Sequence, residues 1–370
     1  MRDIAEGLRA LLATGRPFGL ATVVSIRGSA PRPAGASMAV DVDGEALGSV
    51  SGGCVEGAVY EVAADVLAGA PPVVETYGIS DETAFSVGLT CGGILDVLVQ
   101  PVGPEQAPLL SGLLDLLEQE APVALATVVG GPAPLGAMLA VTPDGVTGTL
   151  GTEGLDVAVV DDARGMLAIG QTGTRHYGPR GERRIDEVSV FVQAFTPPPR
   201  MLVFGATDFA AAVARAGVFL GYRVTVCDAR PVFATAKRFP EAHEVVCEWP
   251  STYLERTPVD RRTVIAVLTH DPKFDVPLLQ VALRSPAGYV GAMGSRRTHD
   301  DRLARLREVG VTDEELTRLH SPIGLDLGAR TPEETAVSIA AEIVQRRWGG
   351  SGRPLGVTEG TIHRDPAIVR

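Results

Sequence analysis

Two segments in the first half of the chain carry the same sequence pattern about 100 residues apart. The run LATVV at residues 20–24 recurs at residues 125–129, and the run PAGASMAV that follows it recurs as PLGAMLAV. An Asp-Gly turn comes after each of them. Convergent strand and turn chemistry explains one shared turn, but not several motifs in the same order. We therefore predict a degenerate internal duplication of one βαβ-like unit, with copies at about residues 15–100 and 120–195.

A proline run, TPPPR at residues 196–200, divides the chain into two parts with different patterns. Consecutive prolines stiffen the backbone and remove amide donors, which suits a linker between domains. Short alternating apolar runs with glycine turns precede the prolines and indicate strands. Strand-like and helix-like runs alternate after them, as in βαβ units. We predict an α/β protein with an N-terminal α/β domain at 1–196, a C-terminal Rossmann-like, doubly wound domain at 197–348 and a tail at 349–370.

Charge and composition exclude several classes of partner. The chain holds 33 Lys and Arg against 45 Asp and Glu, a net charge of −12, and 5% of its residues are aromatic. An acidic chain repels phosphate backbones and anionic lipids, and few aromatic rings are available to stack on single-stranded bases. No apolar run approaches the length of a membrane span, and the N-terminus lacks the features of a secretory signal. We expect a cytoplasmic protein that binds neither nucleic acid nor membranes, with its four cysteines reduced.

The first copy alone carries a cysteine at the point where a strand gives way to a helix. In the run SGGCVEG at residues 51–57, Cys54 falls near the helix N-terminus, where unpaired amides and the helix dipole favour a thiolate or a bound anion. Gly52 and Gly53 allow a ligand to approach the backbone closely. Glu56 either accepts a proton or orients a polar ligand, or it compensates the helix dipole. The second copy has no cysteine, so we assign any thiol chemistry to the first.

A second cysteine also lies beside a pair of glycines, in the run Cys91-Gly92-Gly93. A single cysteine is often only a small buried hydrophobe, but two cysteines beside Gly-Gly pairs favour a soft-metal or sulfur-handling site. Their spacing fits no zinc motif, and no histidine cluster accompanies them. Cys227 and Cys247 end the apolar runs VTVC and EVVC, and we expect both in the core.

The second half begins with the pattern of a nucleotide-binding fold. A strand meets Gly205, a helix follows, and the next strand ends at Asp228, the position from which an acid holds a ribose in Rossmann folds. The glycine that lets a pyrophosphate touch the backbone is replaced by Thr207, and Asp208 adds a negative charge beside it. The sequence therefore predicts the fold, but weak or absent binding of NAD(P).

Two later strands end in polar runs that should face one crevice, because ligands of open α/β sheets bind at the carboxyl ends of the strands. The first run contains His270 and Asp271, and His270 is either a base or a strand-end residue bonded to backbone. The second run opens a helix whose amides and two guanidinium groups suit a phosphate, with a solvated helix face as the alternative. Its residues are Gly294, Ser295, Arg296 and Arg297.

Motifs from both halves, taken in order, resemble those of the xanthine dehydrogenase accessory factor (XdhC/CoxI) family. The resemblance spans about residues 8–348 and rests on the runs SGGCVEG (51–57), CGG (91–93), DARP (228–231), THD (269–271), GAMGSRR (291–297) and SPIGLD (321–326). The chain departs from the family at residues 205–209, where members commonly have a Gly-Ala-Gly-His-Val turn. The resemblance implies a C-terminal Rossmann domain and an N-terminal domain that bears the cysteine motif.

The resemblance also implies a molybdenum-cofactor chaperone, an assembly factor without turnover of its own. Such a protein would bind the cofactor, as molybdopterin or its dinucleotide form, and assist its sulfuration with a cysteine desulfurase. It would deliver the cofactor to an apo molybdenum hydroxylase of the xanthine dehydrogenase or CO dehydrogenase type; a homodimer stays open. Cys54 would contact molybdenum or sulfur. The expected cofactor contacts are Gly52, Gly53, Cys54, Glu56, Cys91, Gly92, Gly205, Asp228, His270, Asp271, Gly294, Ser295, Arg296 and Arg297.

Two alternatives from other functional classes stay open. An NAD(P)-dependent oxidoreductase would use the Rossmann domain, with His270 as acid or base. A sulfurtransferase would carry a persulfide on Cys54. Titration with nicotinamide cofactors tests the first alternative, and transfer of labelled sulfur tests the second.

Overall fold

The computed structural model describes residues 1–28, 30–78 and 93–359. The chain divides into two compact units, Met1–Pro197 and Pro198–Arg370, and the division falls inside the proline run. Among the residues described, no helix is both long and apolar enough to cross a membrane.

The first unit contains one set of elements twice, each time in the order α-β-β-β-α-β-β. The first copy consists of α1 (Ala5–Ala13), β1 (Phe18–Arg27), β2 (Ser37–Asp41), β3 (Ala46–Gly48), α2 (Glu56–Leu67), β4 (Val73–Tyr77) and β5 (Ile94–Val102). The second consists of α3 (Ala107–Glu118), β6 (Val123–Gly130), β7 (Met138–Val141), β8 (Val146–Gly148), α4 (Glu153–Ile169), β9 (Gly173–Tyr177) and β10 (Val188–Phe195). This order confirms an internally duplicated N-terminal α/β domain.

Each copy folds its five strands into one sheet, in the orders β3-β2-β1-β5-β4 and β8-β7-β6-β10-β9. Every neighbouring pair in both sheets is antiparallel, so the predicted βαβ-like unit is not a βαβ unit of adjacent parallel strands. Helix α2 does join two strands that run in the same direction, but β3 and β4 lie at opposite edges of the sheet. A helix that connects two neighbouring parallel strands and a helix that connects two distant edge strands give the same strand-helix-strand order in the sequence, so the order alone does not distinguish them.

The central strands of each copy, β1 and β6, bury both of their faces, whereas the edge strands β3 and β8 are largely exposed. Along β1, Ala21 and Val23 belong to the core that α2 covers, while Leu20 packs with Leu125 of β6 on the opposite face. A buried amide also links the copies, because Gln193 Nε2 donates to the carbonyl oxygen of Gly35 at 3.0 Å. The two sheets are therefore joined through the faces that their own helices, α2 and α4, do not cover.

The second unit is a parallel sheet with helices on both faces. Its strands are β11 (Arg200–Phe204), β12 (Arg223–Cys227), β13 (Glu244–Val246), β14 (Val264–Val267), β15 (Tyr289–Ala292) and β16 (Leu319–His320). Its helices are α5 (Asp208–Phe219), α6 (Pro250–Arg256), α7 (Pro272–Arg284), α8 (Arg296–Glu308), α9 (Asp313–Leu316) and α10 (Pro332–Trp348).

The strand order of this sheet, β13-β12-β11-β14-β15-β16, is the Rossmann order 3-2-1-4-5-6 counted from its first strand. All of its neighbouring strands are parallel. Helices α5 and α10 contribute to the core on one face, and α6, α7 and α8 to the core on the other. The predicted Rossmann-like, doubly wound domain is confirmed.

The two cysteines of the second unit differ in burial. Cys227 ends β12 and is buried, and this burial raises the pKa of its thiol to about 12. Cys247 is exposed, so the expectation that both cysteines lie in the core is wrong for Cys247. It follows β13, a three-residue strand at the edge of the sheet, where no outer strand covers the residue after the strand end.

Candidate functional site

Cys54 lies on the loop that joins β3 to α2, two residues before the helix begins at Glu56. Gly52 and Gly53 have φ angles of 80° and 118°, which only glycine adopts without strain, and they turn the loop toward the helix. The Cys54 amide donates to Ser51 Oγ at 2.9 Å. Its side chain is partly buried and packs at the border of the core between α2 and the first sheet.

Glu56 is the residue around which this loop folds. Its carboxylate accepts hydrogen bonds from the hydroxyls of Ser49 and Ser51. It also accepts from five backbone amides at 2.8–3.2 Å, those of Val50, Ser51, Gly52, Gly53 and Val55. Burial raises the pKa of Glu56, but the hydrogen bonds outweigh this effect and lower the pKa to about 2.

The second copy keeps the same anchor without the cysteine. Asp156, at the position equivalent to Glu56, accepts from Thr149 Oγ1 and from the Leu150 amide, both at 2.7 Å. The position equivalent to Cys54 is Gly154. A Cβ atom at Gly154 would lie 2.3 Å from the carbonyl oxygen of Arg180, so the β9–β10 connection closes this position to any side chain.

Two further residues of the predicted cysteine site fall in a part of the chain that the structure does not describe. Cys91 and Gly92 lie outside the described residues. Within the described part of the chain, no group of three or more His, Cys, Asp or Glu side chains could hold a metal ion.

Asp228 lies where the sequence predicts it, directly after β12, but its carboxylate is already engaged. It accepts from the Ala206 amide at 2.7 Å and from Arg230 through the amide, Nε and Nη2 at 2.7–2.9 Å. Burial raises the pKa of Asp228, but the hydrogen bonds from Arg230 and the Ala206 amide outweigh burial and hold the pKa below its usual value. Arg230, which sequence reasoning did not single out, therefore occupies the acid that would otherwise hold a ribose.

The turn at the start of α5 departs from a dinucleotide-binding turn in the way the sequence indicates. Gly205 has φ 107°, and a Cβ there would lie 2.8 Å from Thr269 Cγ2, so only glycine fits. Thr207 caps α5 by accepting from the Ala210 amide at 3.2 Å. Asp208 is the first residue of α5, and its exposed carboxylate pairs with Arg238 at 3.3 Å.

The remaining predicted residues lie after β14 and β15. His270 is exposed, and Asp271 caps α7 by accepting from the Lys273 amide at 3.1 Å and pairs with the Lys273 ammonium at 2.9 Å. Gly294 precedes Ser295, which caps α8. Two exposed guanidinium groups follow in the first turn of that helix, on Arg296 and Arg297.

Both units match family models. The model of the XdhC Rossmann domain matches residues 201–343, and that of the XdhC and CoxI family matches residues 11–78 and 116–178, one stretch in each copy. The chain belongs to the XdhC and CoxI family. The resemblance predicted from the motifs is confirmed.

Relatives of this family member cover most of its length. The Escherichia coli (strain K12) protein named molybdenum cofactor insertion chaperone PaoD is 29% identical over 336 residues, which cover 91% of this chain and 85% of that protein. A Bacillus subtilis (strain 168) protein, named as a probable subunit of xanthine dehydrogenase, is 28% identical over 342 residues, covering 92% and 96%. A crystal structure described as a xanthine dehydrogenase from Bacillus halodurans shares the fold, with a TM-score of 0.63, 23% identity and coverage of 96% and 97%.

Sequence reasoning missed a buried polar network in the Rossmann domain of this XdhC/CoxI family chain. Arg302 donates to Asp275 Oδ2 at 3.1 Å, to Ser321 Oγ at 3.0 Å and to the Met293 carbonyl oxygen at 2.7 Å. Asp275 also accepts from the hydroxyl of Thr269. The network therefore ties together the segments that follow β14, β15 and β16 at the carboxyl edge of the sheet.

Proposed function

We propose that this chain is a molybdenum-cofactor chaperone, which binds the cofactor, assists its sulfuration with a cysteine desulfurase and delivers it to an apo molybdenum hydroxylase. The observation that carries the proposal is the placement of Cys54 on a loop with two positive-φ glycines, at a position where the second copy has Gly154 instead of a cysteine. The names of the relatives support it, since one is a molybdenum cofactor insertion chaperone and the other a probable subunit of xanthine dehydrogenase.

The residues suit different parts of this cargo. A thiolate is a soft ligand that suits a thiophilic metal or a sulfur-carrying group. The amides of Gly52 and Gly53 already donate to Glu56, but no described atom lies within 4 Å of where a Cβ of Gly53 would be, so a ligand has space beside this loop. In the Rossmann domain, exposed Arg296 and Arg297 in the first turn of α8 suit the phosphate of a pterin cofactor, whether mononucleotide or dinucleotide. His270 and Asp271 border the same carboxyl edge of the sheet.

Replacing Cys54 with alanine should remove most of the bound cofactor, while replacing Cys247 should not. Loss of a sulfur contact should lower the retention of cofactor by about tenfold or more. Cys247 is exposed and directly follows the edge strand β13, so its replacement should leave retention unchanged. The measurement is the molybdenum and pterin content of the Cys54→Ala, Cys227→Ala and Cys247→Ala proteins, each purified from cells that make the cofactor. Equal retention in folded Cys54→Ala and Cys247→Ala proteins would show that Cys54 is not a contact.

Nicotinamide cofactors should bind weakly, with dissociation constants on the order of a millimolar, or about 4 kcal/mol of binding free energy. The side chain of Thr207 blocks the approach of a pyrophosphate, Asp208 repels it, and Arg230 occupies the carboxylate of Asp228. Titration calorimetry with NAD and NADP measures the constants, and the Thr207→Gly/Asp208→His protein should bind more tightly. A micromolar site in the unaltered protein would contradict this prediction and favour the oxidoreductase alternative.

A further inference from the structure

The hydrogen bonds of Glu56 point backward along the chain. Glu56 opens α2, and a carboxylate there would ordinarily compensate the dipole of its own helix. The side-chain and backbone donors described above instead belong to residues 49–55, the segment that carries Cys54. The loop thus forms a cradle of converging amides, and the chain fills this cradle with its own anion.

The second copy shows which part of this arrangement is specific to the cysteine. Asp156 bonds to Thr149 and Leu150, the counterparts of Ser49 and Val50, so both copies share the anchor at the end of the third strand. The additional bonds of Glu56 go to residues 51–55, which flank Cys54 on both sides. These bonds form because the glutamate side chain reaches farther than that of aspartate, and because the positive φ angles of Gly52 and Gly53 turn the loop amides toward its carboxylate.

We propose that Glu56 is a positioning residue, an internal carboxylate that fixes the backbone around Cys54 and does not itself contact the cofactor. Charge-assisted hydrogen bonds are the stronger kind, and here one carboxylate collects them from donors that no helix or sheet satisfies. That Cys54 contacts the cofactor rests on the proposed function, whereas the positioning of its thiol by Glu56 does not.

The test is the reactivity of Cys54 in cofactor-free protein. In a Cys247→Ser background, which removes the exposed thiol among the described residues, Glu56→Ala should raise the rate of alkylation by iodoacetamide about tenfold at Cys54, equivalent to about 1.4 kcal/mol. The rate is read from the peptide that contains Cys54, by mass spectrometry, so that the other thiols do not contribute. Formate, a carboxylate that fits the vacated cradle, should return the rate toward that of the parent protein with saturation, whereas chloride at the same ionic strength should not. Asp156→Ala is the matched control and should leave the rate at Cys54 unchanged.

A second variant covers the case in which Glu56→Ala fails to fold. Glu56→Asp reproduces the shorter acid of the second copy and should give an intermediate rate, because it keeps the anchor to residues 49 and 50 and loses bonds to residues 51–55. An unchanged alkylation rate in either folded variant, or a rate in Glu56→Ala that formate does not lower, would overturn the inference.

Cofactor retention separates this inference from the proposed function. If both hold, Glu56→Ala loses cofactor and Asp156→Ala keeps it. Formate-sensitive alkylation together with full retention of cofactor by Cys54→Ala would support the positioning of the thiol and contradict only its role as a cofactor contact.

Discussion

Replacing Arg302 with methionine should lower the free energy of unfolding of the Rossmann domain by about 3–5 kcal/mol, the usual cost of removing one partner of a buried ion pair. Arg302 and Asp275 are each only 4% exposed. Methionine fills much of the space of arginine but donates nothing, so the carboxylate of Asp275 loses its cation. Ser321 and the Met293 carbonyl oxygen lose a donor at the same time.

The effect should also depend on pH. Burial raises the pKa of Asp275 from near 3.8 to about 6, although Arg302 opposes this shift. Without Arg302 the pKa of Asp275 in the folded state rises further, so the folded protein binds this proton more tightly than the unfolded chain does. The stability of the variant therefore falls as pH rises from about 4 through the folded pKa, and the loss should be smaller at pH 5 than at pH 8.

Urea unfolding followed by tryptophan fluorescence measures this loss, because both tryptophans of the chain, Trp249 and Trp348, lie in the second unit. Arg296→Ala is the control on the same helix and should change stability by less than about 0.5 kcal/mol, since Arg296 is exposed. The double variant Arg302→Met/Asp275→Leu should recover most of the loss by removing the unpaired carboxylate. A loss below about 1 kcal/mol in Arg302→Met would show that the buried pair contributes little.

Local sequence pattern predicts the Rossmann domain well because its elements are regular. Its strands are short and mostly apolar, every strand except β12 is followed by a helix, and the acid after the second strand, Asp228, lies where the fold requires it. The buried pair has no such local signature. Asp275 lies in the first turn of a helix, and Arg302 lies in a run of mostly charged residues that resembles a solvated surface. The available signal was spacing, because Arg302 precedes buried Leu306 by one helical turn.

The first unit shows a different limit. The shared motifs predict a duplication, but strand direction is a property of pairing between distant segments, which a strand-helix-strand order leaves undetermined. The role of Glu56 was also undetermined, because a glutamate in the first turn of a helix is consistent with several roles. The donors that surround its carboxylate became visible only when the loop was folded around it.

Replacing Gly154 with alanine should destabilise the first unit by about 2–3 kcal/mol, the cost of overpacking a closed site. The added Cβ would lie 2.3 Å from the carbonyl oxygen of Arg180, which is backbone and cannot rotate away. Gly165 lies in the same helix with nothing within 4 Å of a Cβ, so Gly165→Ala should stabilise the unit by about 0.5–1 kcal/mol. Calorimetry of the first unit's transition measures both, and equal effects would show that the β9–β10 connection yields easily.

This closure explains why the thiol belongs to one copy only. Cys54 and Gly154 occupy equivalent positions, but the backbone that covers Gly154 leaves no room for the Cβ of any other residue. A cysteine placed there would have to displace the connection that follows β9, so Gly154→Cys in a Cys54→Ala background should not restore cofactor retention. Restored retention in that protein, measured as bound molybdenum and pterin, would show that either copy can present the thiol and that the loop around Glu56 is dispensable.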